Sequence, residues 1–339
     1  KVQNIDLITN KPYISDKFGR KHDYLRISLT DKCNLRCFYC MPEEGIVLRE
    51  KAAFMTAEEL ISIAKVFVDL GVRKIRLTGG EPLVKKNVGL VINELGKLPI
   101  ELAITTNAIL VDRHISDLKQ AGVQNINVSL DSLKPERFNS ITKRDYFSQV
   151  MNNIKLLLDE GFNLKINVVL IKGVNDDEII DFIKWTTALP IHVRFIEFMP
   201  FDGNKWSWDK TVTFQQILSL AEKEIGKSNF HKINDLPNDT TRSFKINDAK
   251  GSFGIISSIT NPFCDSCNRI RLTADGKIKN CLFSNKELDL LSAFRKNKPL
   301  HPLIIQSIEN KKAQHAGIAS FKTTDAEELK NRSMIAIGG

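Results

Sequence analysis

The sequence predicts an α/β fold in which six parallel strands form an open, polar-lined barrel with helices outside. Three observations predict it. Between Tyr24 and Met199, short β-branched runs alternate six times with segments of helical spacing, the pattern of a parallel sheet covered by helices. Polar and apolar residues alternate along those runs, which gives each strand one polar face. After Pro200 the strand–helix alternation stops. An ordinary eight-stranded barrel fills its interior with branched apolar side chains. Here the apolar set would pack on the helices and the polar set would line a cavity. An open doubly wound sheet with a site at its carboxyl edge is the second reading.

Strands are expected at 24–29, 74–78, 102–106, 125–130, 164–170 and 193–198. Their polar faces carry Arg26 and Ser28, then Arg76 and Thr78, then Asn127, Ser129 and Asp131, then Lys165 and Asn167. Thr56-x-x-Glu59 is a capping box that opens a helix through Leu60, Ile63, Ala64, Phe67 and Leu70, ended by Gly71. Further helices are expected at 111–121, 147–160 and 176–188, stopped by Gly122, by Gly161 and before Pro190. Three marks follow consecutive strands: Thr78-Gly79-Gly80-Glu81-Pro82, Thr105-Thr106-Asn107 and Ser129-Leu130-Asp131. They fall at the strand ends where βα loops carry sites. Beyond Pro200 the sequence predicts a loop around Trp206-Ser207-Trp208, a helix near 214–224 and a linker at 231–241. A hairpin at 243–246 and 252–259 follows, then a second one with a two-residue turn at Asp275-Gly276. The expected divisions are an N-terminal extension (1–23), the barrel (24–230) and a C-terminal domain (231–339).

All six cysteines fall into two triads, 33/37/40 and 264/267/281. Cys33, Cys37 and Cys40 lie on a short loop after the first strand, with Tyr39 between the last two. Three thiolates are one short of the four that complete a [4Fe–4S] cluster, so one iron stays open. A zinc knuckle with a distant fourth ligand is the alternative. The second hairpin folds Cys281 back toward Cys264 and Cys267, and no histidine lies nearer than His231 and His301. That set too reads as a cluster or, with a remote ligand, as zinc. Between its cysteines, Arg269 and Arg271 project to one side of a strand and suit bidentate phosphate binding.

The 339 residues, 42% hydrophobic and 26% charged, describe an ordinary globular protein. No apolar run approaches a membrane span and Lys1-Val2-Gln3-Asn4 opens no signal peptide. A trimmed or partial N-terminus and a cytoplasmic location are expected, with no membrane partner. The net charge of +9 points to an anionic partner. The blocks Arg295 to Lys298 and Lys311-Lys312 read as solvated helix faces. Arg26, Arg76 and Lys165 would bring positive charge into the cavity.

The first triad and Tyr39 resemble the C-x3-C-x2-C signature of radical S-adenosylmethionine enzymes. The resemblance extends through residues 24–31, Met41-Pro42, residues 76–83, Ile196-Glu197-Phe198-Met199, residues 263–283 and Gly338-Gly339. Together these are similar to the GTP 3′,8-cyclase family of molybdenum cofactor biosynthesis. The family implies a partial (β/α)6 TIM-like barrel and a C-terminal α+β domain carrying a second Fe–S cluster. It implies a [4Fe–4S] cluster on Cys33, Cys37 and Cys40, a second on Cys264, Cys267 and Cys281, and S-adenosylmethionine at Tyr39, Gly80, Ser129 and Met199. GTP would contact Arg26, Arg76, Thr105, Lys165, Arg269, Ile270 and Arg271, and Gly338 and Gly339 would enter the site. A reducing electron donor is required, no nucleic acid is expected, and the chain would be a monomer or homodimer. Ala108 stands where the family usually carries glycine.

Two other functions fit parts of the pattern. One is a radical enzyme with an auxiliary cluster acting on a peptide. The other is a zinc-containing nucleic-acid-binding protein, motivated by the charge and Cys-x2-Cys.

Overall fold

In the computed structural model, described over residues 4–6, 11–42, 45, 49–324, 329 and 331–338, one twelve-stranded sheet organises the chain. An N-terminal ribbon (β1, Asn4–Asp6; β2, Lys11–Tyr13) precedes six strands: β3 (Tyr24–Ser28), β4 (Lys74–Thr78), β5 (Glu101–Thr106), β6 (Asn125–Ser129), β7 (Asn163–Leu170) and β8 (Ile191–Glu197). Each pairs with the next in parallel. Leu25, Ile27, Ile75, Leu77, Ile104, Ile126, Val128, Ile166, Val168, Val193 and Phe195 are buried in the core. Most of their alternates, Arg26, Arg76, Thr105, Asn127, Lys165 and Arg194 among them, line the cavity, as period 2 requires. The partial barrel is the outcome.

The helices between are α1 (Ala57–Asp69), α2 (Val88–Gly96), α3 (Ile115–Gln120), α4 (Pro135–Thr142), α5 (Phe147–Asp159) and α6 (Ile179–Ala188). The capping box forms as expected: the Glu59 amide donates to Thr56 Oγ1 at 3.2 Å, and the Thr56 amide to Glu59 Oε2 at 2.9 Å. Leu60, Ile63 and Phe67 on the inner face of α1 are fully buried, each contributing about 1.5–3 kcal/mol. The helices expected at 111–121 and 176–188 open with short 3-10 turns (Val111–His114, Asp176–Glu178). Helices α2 and α4 go beyond the expectation. The first carries Gly89 and Gly96 and no side-chain cap; the second starts on Pro135 at its first turn.

After α7 (Phe214–Ile225) come β9 (Phe230–Lys232), β10 (Arg242–Ile246), β11 (Ser252–Ile256), β12 (Arg269–Leu272), β13 (Lys277–Lys279) and β14 (Leu288–Asp289). They extend the same sheet at both ends: β11 runs parallel to β8, and β12 parallel to β3. Two expectations are corrected. The linker at 231–241 begins within β9, which pairs with β10. The second hairpin turns through Ala274-Asp275-Gly276, three residues rather than two. The Thr273 amide donates to the Lys277 carbonyl across the turn, and Gly276 takes φ 70°, as a three-residue hairpin requires. Helices α8 (Leu290–Arg295), α9 (His301–Glu309) and α10 (Met334–Ile337) complete the chain.

Candidate active site

A cavity of about 400 Å³ fills the barrel, and all six cysteines line it. The loop of the first triad leaves β3 and is pinned from below: the Arg36 amide donates to the Thr142 carbonyl at 2.8 Å and that of Phe38 to Ile141 at 3.3 Å. The Tyr39 hydroxyl donates to Asp131 Oδ2 at 2.6 Å, and the Val169 amide to Asp131 Oδ1 at 2.8 Å. Glu81 accepts from Thr106 Oγ1 and the Asn107 amide, both at 2.7 Å, and from the Leu83 amide at 3.0 Å. Burial raises the Glu81 carboxyl to about 7 and that of Asp131 to about 6. Burial also lifts Cys33 to about 11 and raises Cys37 and Cys40, and neighbouring carboxylates and thiols add to the effect. At Cys33, Arg36 acts the other way. Gly80 belongs here because its backbone passes Lys32: a Cβ would lie 2.3 Å from that carbonyl oxygen.

The second triad is framed by cations. Cys264 opens a 3-10 turn (Cys264–Ser266), Cys267 closes it, and Cys281 follows β13. Arg20 Nη1 donates to the Cys264 carbonyl at 2.8 Å, and Lys311 Nζ to Cys267 Sγ at 3.3 Å. Burial raises Cys264 and Cys281. At Cys267 burial pushes upward too, but Lys311 and Arg269 outweigh it and the thiol falls below its ordinary value. All six thiols are free of disulfides. Among the described residues no three His, Cys, Asp or Glu side chains are arranged to hold a single metal ion. Tetrahedral zinc would need a fourth ligand beyond each set of three cysteines, whereas a cluster with one open iron would not.

Between the triads runs a wall of positive charge set by strand register. Arg26 stands beside Arg76 on one side and Arg271 on the other. Lys165 stands beside His192, and Asn167 beside Arg194. Arg76 donates to the Tyr24 hydroxyl at 2.7 Å and to the Ile104 carbonyl at 2.8 Å. Arg194 donates to Asn167 Oδ1 at 2.6 and 3.0 Å. Burial first, and neighbouring cations after it, bring Lys165 down to about 8 and both Arg194 and Arg271 to about 9. Arg269 stacks its guanidinium over Tyr24 and Phe263, and its buried Nη1 has no hydrogen-bond partner among the described residues. Buried like charges on this scale are costly unless an anion joins them.

Tyr39, Gly80, Ser129, Met199, Arg26, Arg76, Thr105, Lys165, Arg269 and Arg271 all stand in the cavity wall. Ile270 departs from the expectation. Its side chain is fully buried in the core, because it alternates with the two arginines, so only its main chain is left to face a ligand. Gly338 lies at the barrel: its carbonyl accepts from Arg271 Nη1 at 2.7 Å, and a Cβ would meet Thr78 Oγ1 at 2.6 Å. Gly339 is outside the described residues. Sequence reading passed over Lys74, His192 and Arg194, and it marked Glu81 and Asp131 at strand ends without giving them a role; all five line the cavity. Period 2 along β8 carried the signal for His192 and Arg194. Lys311 is a plain correction: half of an expected solvated pair, it is 3% exposed. Ala108 sits at φ 63°, fully buried, in the left-handed region that favours glycine.

Residues 27–186 match the Radical SAM superfamily and residues 191–317 match Molybdenum Cofactor Synthesis C. The chain is 42% identical to the mitochondrial GTP 3′,8-cyclase of Arabidopsis thaliana, across all of this chain and 87% of that one. It is 41% identical to GTP 3′,8-cyclase of Listeria welshimeri, across 96% of this chain and 99% of the other. Molybdenum cofactor biosynthesis protein 1 of Homo sapiens is 43% identical across 96% of this chain but 51% of its own length. The chain thus spans about half the length of several curated relatives. Streptococcus suis SuiB, solved with S-adenosylmethionine, shares the fold at TM-score 0.65 and 17% identity, covering 95% of this chain and 73% of that one. The superfamily match brings with it S-adenosylmethionine and one [4Fe–4S] cluster. No helix among the described residues is long and apolar enough to cross a membrane. By matches to both of its parts, the chain belongs to the radical S-adenosylmethionine superfamily and, within it, to the GTP 3′,8-cyclase family of molybdenum cofactor biosynthesis.

Proposed function

We propose that the chain converts GTP to (8S)-3′,8-cyclo-7,8-dihydroguanosine 5′-triphosphate, an early step of molybdenum cofactor biosynthesis. One observation carries the reading: a single cavity holds two free cysteine triads, one beside carboxylates and the other beside arginines and lysines. S-adenosylmethionine is a sulfonium cation, whereas GTP carries a polyanionic tail, so each suits one end. Residues 24–230 would supply the first end and part of the cationic wall, and residues 231–339 would add the second triad with Arg269 and Arg271. Cations enclosed in a barrel suit a mononucleotide better than a nucleic-acid strand or a peptide.

Cys33, Cys37 and Cys40 would hold the first [4Fe–4S] cluster, and Cys264, Cys267 and Cys281 a second. A cluster on Cys33, Cys37 and Cys40 would pass one electron from an external donor to split S-adenosylmethionine into methionine and a 5′-deoxyadenosyl group, which would leave as 5′-deoxyadenosine with the C3′ hydrogen of GTP; joining C3′ to C8 would then take a second electron from the donor and a proton to complete the dihydro product. The chain's own residues do the rest. Tyr39, Gly80, Ser129 and Met199 frame S-adenosylmethionine, with Asp131 fixing the Tyr39 hydroxyl. Arg26, Arg76, Thr105, Lys165, Arg269, Arg271 and the Ile270 main chain receive GTP, and Arg194 joins them. Gly338 and Gly339 would reach the nucleotide from the tail. Pinning GTP at both ends holds its C3′ hydrogen near the attacking carbon, and an enclosed site limits side reactions with water. The free thiols suit the reducing cytoplasm; the assembly is a monomer or homodimer.

Anaerobic incubation with GTP, S-adenosylmethionine and reductant tests the reading. It predicts 5′-deoxyadenosine and a cyclised nucleotide in equal amounts, with ATP unable to replace GTP. 5′-Deoxyadenosine without any nucleotide product would overturn it.

A further inference from the structure

Lys311 follows α9, and its neighbour Lys312 is exposed. Lys311 itself is buried, and its ammonium donates to three acceptors: Cys267 Sγ at 3.3 Å, His22 Nε2 at 3.0 Å and the Arg269 carbonyl at 3.1 Å. An ammonium has three protons, so this tripod is full. His22 Nδ1 lies 2.8 Å from the Arg20 carbonyl, which can only accept. The proton therefore sits on Nδ1, and Nε2 offers its lone pair to Lys311. Burial, and after it the ammonium of Lys311, push the imidazole down to about 3, which keeps it neutral.

Besides Arg269 and Arg271, which act on Cys267 and Cys281, the charged groups around this cluster come from the N-terminal segment. Asp16 Oδ2 lies 3.8 Å from His22 Nε2 and accepts from Arg20 Nε at 2.6 Å. Arg20 reaches on to the carbonyls of Cys264, Lys312 and Ala313 at 2.7–2.8 Å. The Asp16 carboxylate is thus taken by Arg20. A buried ammonium with only neutral acceptors besides a thiol is expensive, and an anionic sulfur is the partner that offsets it.

We propose that Lys311 is a positioning residue of the second triad. Held by His22, it hydrogen-bonds the Cys267 sulfur of a cluster on Cys264, Cys267 and Cys281. It also ties that sulfur to the main chain of Arg269, so that the cluster and the nucleotide-binding strand keep one geometry. The inference rests on the second cluster of the proposed function. Hydrogen bonds to ligating sulfur and nearby positive charge favour the reduced cluster, so Lys311 raises its reduction potential.

The experiment uses full-length chain with Cys33, Cys37 and Cys40 replaced by alanine, reconstituted anaerobically, so that any cluster is the second one. Iron and sulfide content and a redox titration followed by electron paramagnetic resonance are measured with and without Lys311→Met. The variant is expected to keep its iron, to titrate at a more negative potential with an altered signal, and to bind GTP roughly tenfold more weakly. An unchanged potential and signal would overturn the inference while leaving the second cluster standing. No iron in the protein with Lys311 intact would overturn the second cluster itself, and this inference with it. If Lys311→Met does not fold, His22→Gln and His22→Leu decide. Glutamine keeps an acceptor for Lys311 and should hold the potential, whereas leucine should lower it; equal potentials in the two would count against the proposal.

Discussion

Cys33, Cys37 and Cys40 sit with Glu81 and Asp131 close by, and every one of their thiols is pushed up by burial. Cys264, Cys267 and Cys281 sit with Arg20, Lys311, Arg269 and Arg271, and there one thiol is drawn down. Both sets line the same cavity and neither has a disulfide. An apolar layer that includes Phe198 and Trp206 reaches Tyr39 beside the first set and Phe283 beside the second. What differs is the sign of the charge around them. In a low-dielectric cavity that sign is a strong sorting device, since charge interactions weaken far less there than in water. A cationic and an anionic ligand can then share one chamber without exchanging places.

The comparison breaks most visibly if either triad can do the other's work. Cys40→Ser is expected to reduce 5′-deoxyadenosine formation to background. Cys264→Ser is expected to retain S-adenosylmethionine cleavage while nucleotide product disappears, and equal loss of both activities would merge the two roles. Next in size, Arg271→Ala removes a charge-assisted donor worth about 2 kcal/mol, which is about 30-fold in the Kd for GTP. Titration calorimetry should show that loss, with the Kd for S-adenosylmethionine unmoved.

A third test reads the cationic wall optically. Burial would raise the Tyr24 phenol, but Arg76, Arg26 and Arg269 bring it down to about 7. Phenolate absorbance should therefore appear near neutral pH in ligand-free protein and move to higher pH when GTP shares those arginines. The sign of the stability effect follows. Between about 7 and 10 the folded chain has released a proton that the unfolded chain retains, so this group's contribution grows as pH rises and is lost as pH falls through 7. A Tyr24 signal that ignores GTP would place the triphosphate elsewhere. The smallest effect is expected at Ala108→Gly. Relief of the left-handed backbone, about 1 kcal/mol, is nearly cancelled by the entropy of the added glycine and by the loss of a fully buried methyl, so Tm should move by less than about 1 °C.

Sequence made the barrel legible because a two-faced strand advertises itself: Arg26, Arg76, Lys165 and Arg269 each alternate with core residues, and parity alone places them in the cavity. The same rule turns the Ile270 side chain into the core and leaves the contact that the resemblance implies for this residue to its main chain. The three-residue hairpin was hidden because Asp275-Gly276 serves both turn lengths and the choice depends on register. Helix α2 was hidden by its two glycines and absent cap. Lys311 was illegible for a different reason. It reaches Cys267 across 44 residues and sits in a lysine pair of ordinary surface appearance, and burial by a distant segment leaves no local mark.

The most direct measurement of the central claim is electron paramagnetic resonance on two reconstituted variants, one retaining only the first triad and one only the second, each titrated with S-adenosylmethionine and with GTP. The account predicts that S-adenosylmethionine changes the signal of the first alone and GTP that of the second alone. GTP changing the first signal, or S-adenosylmethionine the second, would contradict it.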